Sequence, residues 1–137
     1  MLLGGWNNNG LLSAVEEYDP ERDIWTKKAN MPTPAQVCSF ATANDKIYTM
    51  GKVYSQFWPM PRSPILEEYD PKTDTWTRKA DMPTPRYYLA SCELEGKVYA
   101  IGGIVDGINA SSVVEIYDPV VDTWIKGKDM LTPCVST

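Results

Sequence analysis

Three glutamates stand at one place in a recurring phrase. Glu16, Glu67 and Glu115 each precede a tyrosine (Tyr18, Tyr69, Tyr117) by two residues. Carboxylates can serve as general acid and base when a cleft sets them against a substrate. Catalysis, however, calls for one constellation, whereas a residue kept in every copy serves what all copies share. The glutamates therefore read as structural charges or hydrogen-bond partners. Asp23, Asp74 and Asp122 recur in the same way and read as turn formers, and Met31, Met82 and Met130 as packing. The chain has no histidine, and its three cysteines (Cys38, Cys92, Cys134) lie far apart with no CxxC pair. A zinc site is not signalled, and free buried thiols are the expectation. No metal or cofactor is expected.

The elements that position these residues come from the repeat itself. VEEYDPERDIWTKKANMPTP at 15–34, LEEYDPKTDTWTRKADMPTP at 66–85 and VEIYDPVVDTWIKGKDMLTP at 114–133 are copies of one unit. From tyrosine to the closing proline the first two agree at 12 of 17 positions. Trp25, Trp76 and Trp124 superpose with periods of 51 and 48 residues, each seven residues after its tyrosine. A second signal keeps the period: apolar runs ending in glycine at 1–5 (MLLGG), 46–52 (KIYTMGK) and 97–103 (KVYAIGG). Repeats of this length are read before any single element.

Period-two patterning and turn residues place strands at 13–18, 24–28, 36–43, 46–50, 65–69, 75–79, 87–94, 97–102, 112–117 and 123–127. Asp-Pro turns the chain after each tyrosine. Asn44-Asp45 and Glu95-Gly96 close two hairpins, and residues 6–10 read as a polar loop. The Met-Pro connectors cannot sit in a central ladder. Four short strands per roughly 50 residues is the arithmetic of a β-propeller blade. A single small sheet cannot bury both faces, and stacking neighbours buries them. The three tryptophans are expected in the contacts between blades.

Composition bounds the function classes. At 137 residues, 43% hydrophobic and 11% aromatic, the chain has the content of a folded domain rather than a disordered tail. The net charge is −5 and the 13 basic residues are scattered, so no nucleic-acid partner is expected. No apolar run approaches the roughly 18 residues of a membrane span, and no membrane partner is expected. The opening MLLGGWNNNG has neither the cationic start nor the apolar stretch of a secretory signal.

The glycine pair, Tyr-Asp-Pro, tryptophan seven residues beyond tyrosine and Met-Pro together resemble the kelch repeat, three times in register. The resemblance implies an all-β chain: an incomplete kelch β-propeller built of four-stranded antiparallel blades. On that mapping residues 1–34 are a partial blade, 35–85 and 86–133 are blades, and 134–137 begin a further inner strand. Two departures stand out. Lys52 replaces the second glycine of the middle pair. The arginine often found after the connector is present only as Arg86, with Ala35 and Cys134 in the sister repeats.

In kelch propellers the loops between second and third strands share one face with the connectors between blades, and that face commonly binds. The resemblance therefore implies a non-catalytic module for a protein or peptide partner, in contact with Trp6, Asn8, Tyr54, Phe57, Trp58, Arg86, Tyr87 and Asp106. Exposed Trp, Tyr and Arg are the types that anchor interfaces. The alternative it offers is part of a sugar-active enzyme, mutarotase-like or oxidase-like. The copper site of such oxidases would have no imidazole here. Closure of a kelch ring takes roughly five to seven blades. The chain therefore reads either as the remainder of a larger propeller or as half of a homodimeric six-bladed ring. In the second case each CVST tail would lie beside the partner's MLLGG.

Overall fold

The computed structural model describes residues 1–53 and 61–136, apart from the side chain of Val37. Among these residues there is no helix. The strands are β1 (Leu2–Leu3), β2 (Trp6–Asn7), β3 (Gly10–Leu11), β4 (Val15–Asp19), β5 (Ile24–Lys28), β6 (Val37–Ala43), β7 (Lys46–Val53), β8 (Glu67–Asp70), β9 (Thr75–Arg78), β10 (Ala90–Leu94), β11 (Lys97–Ile101), β12 (Val114–Asp118) and β13 (Thr123–Lys126). They form antiparallel sheets in the orders β1-β4-β5, β6-β7-β8-β9 and β10-β11-β12-β13, with β2-β3 as a separate small hairpin. The three larger sheets are blades of an incomplete, unclosed β-propeller.

The spacing of seven between tyrosine and tryptophan has a direct geometric meaning. It sets Tyr18 opposite Trp25, Tyr69 opposite Trp76 and Tyr117 opposite Trp124 across the outer hairpin of each blade. Their ring centroids lie 5.0–5.2 Å apart, within the range of favourable aromatic pairs. The turn between them is held by the aspartate of Asp-Pro, whose carboxylate accepts from the backbone two residues on, as Asp70 does from Lys72 at 2.9 Å. Asp23, Asp74 and Asp122 close the turn in the left-handed region at φ 54–56°. Asp is one of the few side chains that enter that region readily. The inner hairpins turn at Asn44-Asp45 (φ 50° and 62°) and Glu95-Gly96 (φ 53° and 75°). Two successive positive φ values match the right-handed twist of the flanking strands.

The recurring aspartates also join the blades. Trp76 Nε1 donates to the Ala29 carbonyl at 2.8 Å, while the Ala29 amide donates to Asp74 Oδ1 at 2.8 Å. Trp124, Ala80 and Asp122 repeat the arrangement at 2.9 Å in both bonds. Tyr69 and Tyr117 hydroxyls donate to the same carboxylates at 2.7 Å. These amide and hydroxyl donors hold both aspartates below the usual carboxylate range. Beneath the seals lie two apolar clusters: Val15, Met31 and Ala35 with Leu3, Cys38 and Trp76, and a larger one around Tyr48, Met50, Leu66, Met82, Leu89 and Tyr117. The inner strands need glycine where the next connector crosses them. Gly4 and Gly102 have φ of 63° and 66°, and a Cβ there would stand 2.6 Å from the Ala35 carbonyl and 2.5 Å from that of Cys134.

Three expectations are corrected. Residues 6–10 are not an open loop: Trp6 pairs with Leu11 and Asn7 with Gly10, because Gly10 at φ 116° lets the chain return in a tight hairpin. The strand expected over 87–94 begins only at Ala90, since Tyr88 at φ 54° breaks the extended backbone. Trp25 is not between blades. It is 59% exposed, because among the described residues no sheet packs on that side of β4 and β5.

Candidate partner-binding surface

The connectors between blades are laced to the loops joining second and third strands, so both lie at one end of the sheets. Gly5 donates to the Ala35 carbonyl at 2.8 Å and Ala35 to that of Leu12 at 3.2 Å. Met82 donates to Pro64 at 2.8 Å, and Gly103 to Cys134 at 3.0 Å. Rigid backbone ladders beneath thus hold a surface whose side chains vary from blade to blade.

Trp6 stands on the β2-β3 hairpin, 52% exposed, with Asn8 exposed at its tip. Asp106 is exposed on the loop 104–110, but its carboxylate is occupied from within. It accepts the amides of Ile108 at 2.9 Å and Asn109 at 2.7 Å, and the Asn109 Nδ2 amide at 2.7 Å. Asp106 therefore shapes the loop, and the group it thrusts outward is Ile108, 78% exposed. Those donors, the Asn109 amide foremost, lower the Asp106 pKa to about 2. A depressed folded pKa contributes order above the unfolded value of about 3.9 and loses it as pH falls toward 2. The Ile108 and Asn109 amide resonances should accordingly titrate with a midpoint near pH 2 and not move in Asp106→Asn. A midpoint near 4 would show that the bonds do not form.

Tyr54, Phe57 and Trp58 lie outside the described residues. Just beyond that stretch, the exposed Arg62 donates through Nη1 to the Val105 carbonyl and ties its loop to the one that carries Asp106.

Arg86 and Tyr87, expected on the exposed face, are buried at 0% and 1% exposure. Arg86 Nη1 donates to Glu115 Oε2 at 2.6 Å and to the Thr84 carbonyl at 3.2 Å, and Nη2 to the Ala100 carbonyl at 2.9 Å. The guanidinium is drawn inward because it answers a buried carboxylate. Glu67 is answered in the same way by the ammonium of Lys52, also fully buried. Thr33 and Thr84 hydroxyls donate to the remaining oxygens of Glu67 and Glu115, each at 2.6 Å. Both glutamates are thus neutralised in place and have no free oxygen for acid–base chemistry. Tyr87 lies under the loop 104–110, its hydroxyl donating to the Gly107 carbonyl at 3.3 Å; burial pushes its pKa up.

Tyr88 is the residue that sequence reasoning undervalued. Its ring meets Tyr87 edge-on at 5.1 Å, and it lines an open groove of about 430 Å³ with Cys38, Ser39, Phe40, Leu89, Ala90, Ser91 and Ser136. Two serines clamp the groove floor, Ser39 to the Leu89 carbonyl and Ser91 to the Phe40 carbonyl at 2.8 Å. A positive φ on a tyrosine costs about 1–2 kcal/mol, and tyrosine carries no sequence signal for it.

Comparison with known proteins agrees with this architecture. The family profile described as Kelch motif matches residues 1–32, 38–83 and 85–131. Kelch-like protein 36 of Bos taurus is 32% identical over 108 residues, 79% of this chain and 17% of that protein. Alpha-scruin of Limulus polyphemus is 32% identical over 106 residues, 74% of this chain and 12% of that protein. Kelch-like ECH-associated protein 1A of Danio rerio is 30% identical over 102 residues, covering 74% and 17%. The chain thus spans less than a fifth of the length of these relatives. With a match to each of its three repeats, the chain belongs to the kelch repeat family.

Proposed function

We propose that the chain is a non-catalytic binding module that takes a protein or peptide partner on the face formed by the connectors and the loops between second and third strands. One observation carries this reading. The repeated glutamates Glu67 and Glu115 are satisfied inside the blades, whereas side chains that break the repeat (Trp6, Asn8, Ile108) stand exposed, and Tyr88 and Phe40 line an open groove between two inner strands. Rigid aromatic anchors over a preformed depression are the usual make-up of an interface centre. Tyr54, Phe57 and Trp58, which follow Val53 and precede Arg62 in the sequence, are further candidates for partner contact. Arg86 and Tyr87 support it from beneath, and Asp106 holds its loop. One relative, Kelch-like ECH-associated protein 1A, is named for an association, with ECH, rather than for a reaction, which favours binding over catalysis. For assembly, the two readings are the remainder of a larger propeller and half of a homodimeric six-bladed ring.

Pull-down with the chain as bait, followed by titration of the recovered partner, tests the reading. Trp6→Ala and Trp58→Ala should leave the circular dichroism spectrum unchanged and weaken binding by about tenfold or more, as loss of an interface anchor does. Binding that neither substitution alters would move the interface elsewhere on the propeller.

A further inference from the structure

We propose that Asn9-Gly10 is a self-modification site: Asn9 deamidates through a cyclic imide, and the isoaspartate so formed unlatches the β2-β3 hairpin that carries Trp6. The reaction stands by itself, and its consequence for Trp6 rests on the partner-binding reading.

Ring closure needs a nucleophile, an electrophile and freedom to bring them together. The nucleophile is the Gly10 backbone nitrogen. Glycine has no side chain to hinder it, and nothing lies within 4 Å of where a Gly10 Cβ would stand. The electrophile is the Asn9 side-chain amide carbon. Asn9 is exposed, and among the described residues only its backbone N–H is held, donating to Asn7 Oδ1 at 2.9 Å. Freedom comes from the hairpin itself. Its strands are two residues long and join none of the larger sheets. A two-stranded ribbon is marginal in water and opens readily.

The Gly10 nitrogen gives its proton to hydroxide and bonds to Asn9 Cγ. The side-chain nitrogen leaves as ammonia, with a proton from water. Water then opens the imide. Cleavage at Cγ restores the chain as aspartate, whereas cleavage at the other carbonyl routes the backbone through Cβ as isoaspartate. Ammonia is lost, water is gained, and no other reactant enters. Isoaspartate puts an extra carbon into the backbone of the turn, so the pairs Trp6 with Leu11 and Asn7 with Gly10 cannot both keep their register. Either product sets a new carboxylate close to Trp6 in the chain.

Other sites in the chain show what suppresses the reaction. Asp106-Gly107 has an equally open glycine, at φ 90°, but three donors at 2.7–2.9 Å hold the Asp106 side chain as a carboxylate. An ionised carboxylate is a poor electrophile and has no ready leaving group. Asn109 spends its amide on Asp106 and precedes Ala110, and Asn44 spends its amide on the Gly96 carbonyl and precedes Asp45. Asn9 is the one asparagine followed by glycine.

Incubating the 137-residue chain in mildly alkaline buffer, with peptide mapping by mass spectrometry, tests the proposal. The peptide holding Asn9 should gain the mass of an amide-to-acid change and accept a methyl group from an isoaspartyl methyltransferase. It should react about tenfold faster, or more, than those holding Asn44 and Asn109, since glycine alone leaves the attacking nitrogen unhindered. Asn9→Gln, which would have to close a larger ring, should abolish the signal. A gain at Asn9 no faster than at Asn44 and Asn109, or a signal that survives Asn9→Gln, overturns the site. Cross-strand NMR contacts between Trp6 and Leu11 should vanish in the isoaspartate fraction and persist in the aspartate one. Contacts that persist in both overturn the unlatching. No partner enters either measurement, so a failed pull-down bears on the binding reading alone.

Discussion

Arg86→Ala should cost the protein about 3–5 kcal/mol, the usual result of removing one partner from a buried ion pair. Against a whole-domain stability of about 5–15 kcal/mol, this is a large fraction. The loss comes less from the missing bonds than from what stays behind: Glu115, 4% exposed, would be left buried without its cation and with only the Thr84 hydroxyl and amide to meet it. Urea denaturation measures the effect, and a loss below about 1 kcal/mol would mean that solvent reaches Glu115. Lys52→Ala should behave alike, since Glu67 is buried to the same degree and Lys52 also lies 5.9 Å from the centroid of the Trp76 ring.

The two pairs differ in where the cation comes from, and the difference is itself testable. In the second blade the connector position holds Ala35 and the strand-end position Lys52. In the third they hold Arg86 and Gly103. Each blade therefore has one cation for one glutamate, delivered from one of two neighbouring places. Lys52→Gly combined with Ala35→Arg should recover part of what Lys52→Gly alone loses, a coupling of about 0.5–3 kcal/mol. The reverse transfer should fail. Gly103 has φ 93°, and a Cβ there would lie 2.8 Å from the Tyr87 carbonyl, so lysine at 103 cannot rescue Arg86→Ala.

These pairs also show what could be read in the sequence. The outer hairpins were legible because Asp-Pro and the spacing of seven between tyrosine and tryptophan act within a dozen residues. The glutamates were legible as structural because they recur. Arg86 was misplaced because a lone arginine after a connector looks like a surface anchor when taken by itself. The clue lay in two departures read together, Ala35 lacking the arginine and Lys52 taking the place of a glycine. Trp25 was misplaced for a different reason: its surroundings depend on a neighbouring blade, which its own motif cannot report. Tyr88 gave no signal, since nothing local marks a tyrosine for the left-handed region. Its conformation is imposed by the bond between Tyr87 and Ile104 on one side and Leu89 packing under Gly103 on the other.

Substituting the three repeat tryptophans in turn should give unequal losses although the motif around them is the same. Trp76→Ala removes a ring packed against the Val15, Met31 and Ala35 cluster, paired with Tyr69 and hydrogen-bonded to Ala29. About 3–5 kcal/mol is expected, as for other large aromatic side chains truncated in a packed site. Trp124→Ala should match it, since the ring abuts the larger cluster and bonds to Ala80. Trp25→Ala should cost less than about 1 kcal/mol in dilute solution, where its ring touches Tyr18 and little else. Urea midpoints with unchanged slopes would give the three values directly. Equal losses at all three would show that Trp25 is covered, and small losses at Trp76 and Trp124 would show that the blades do not pack as described.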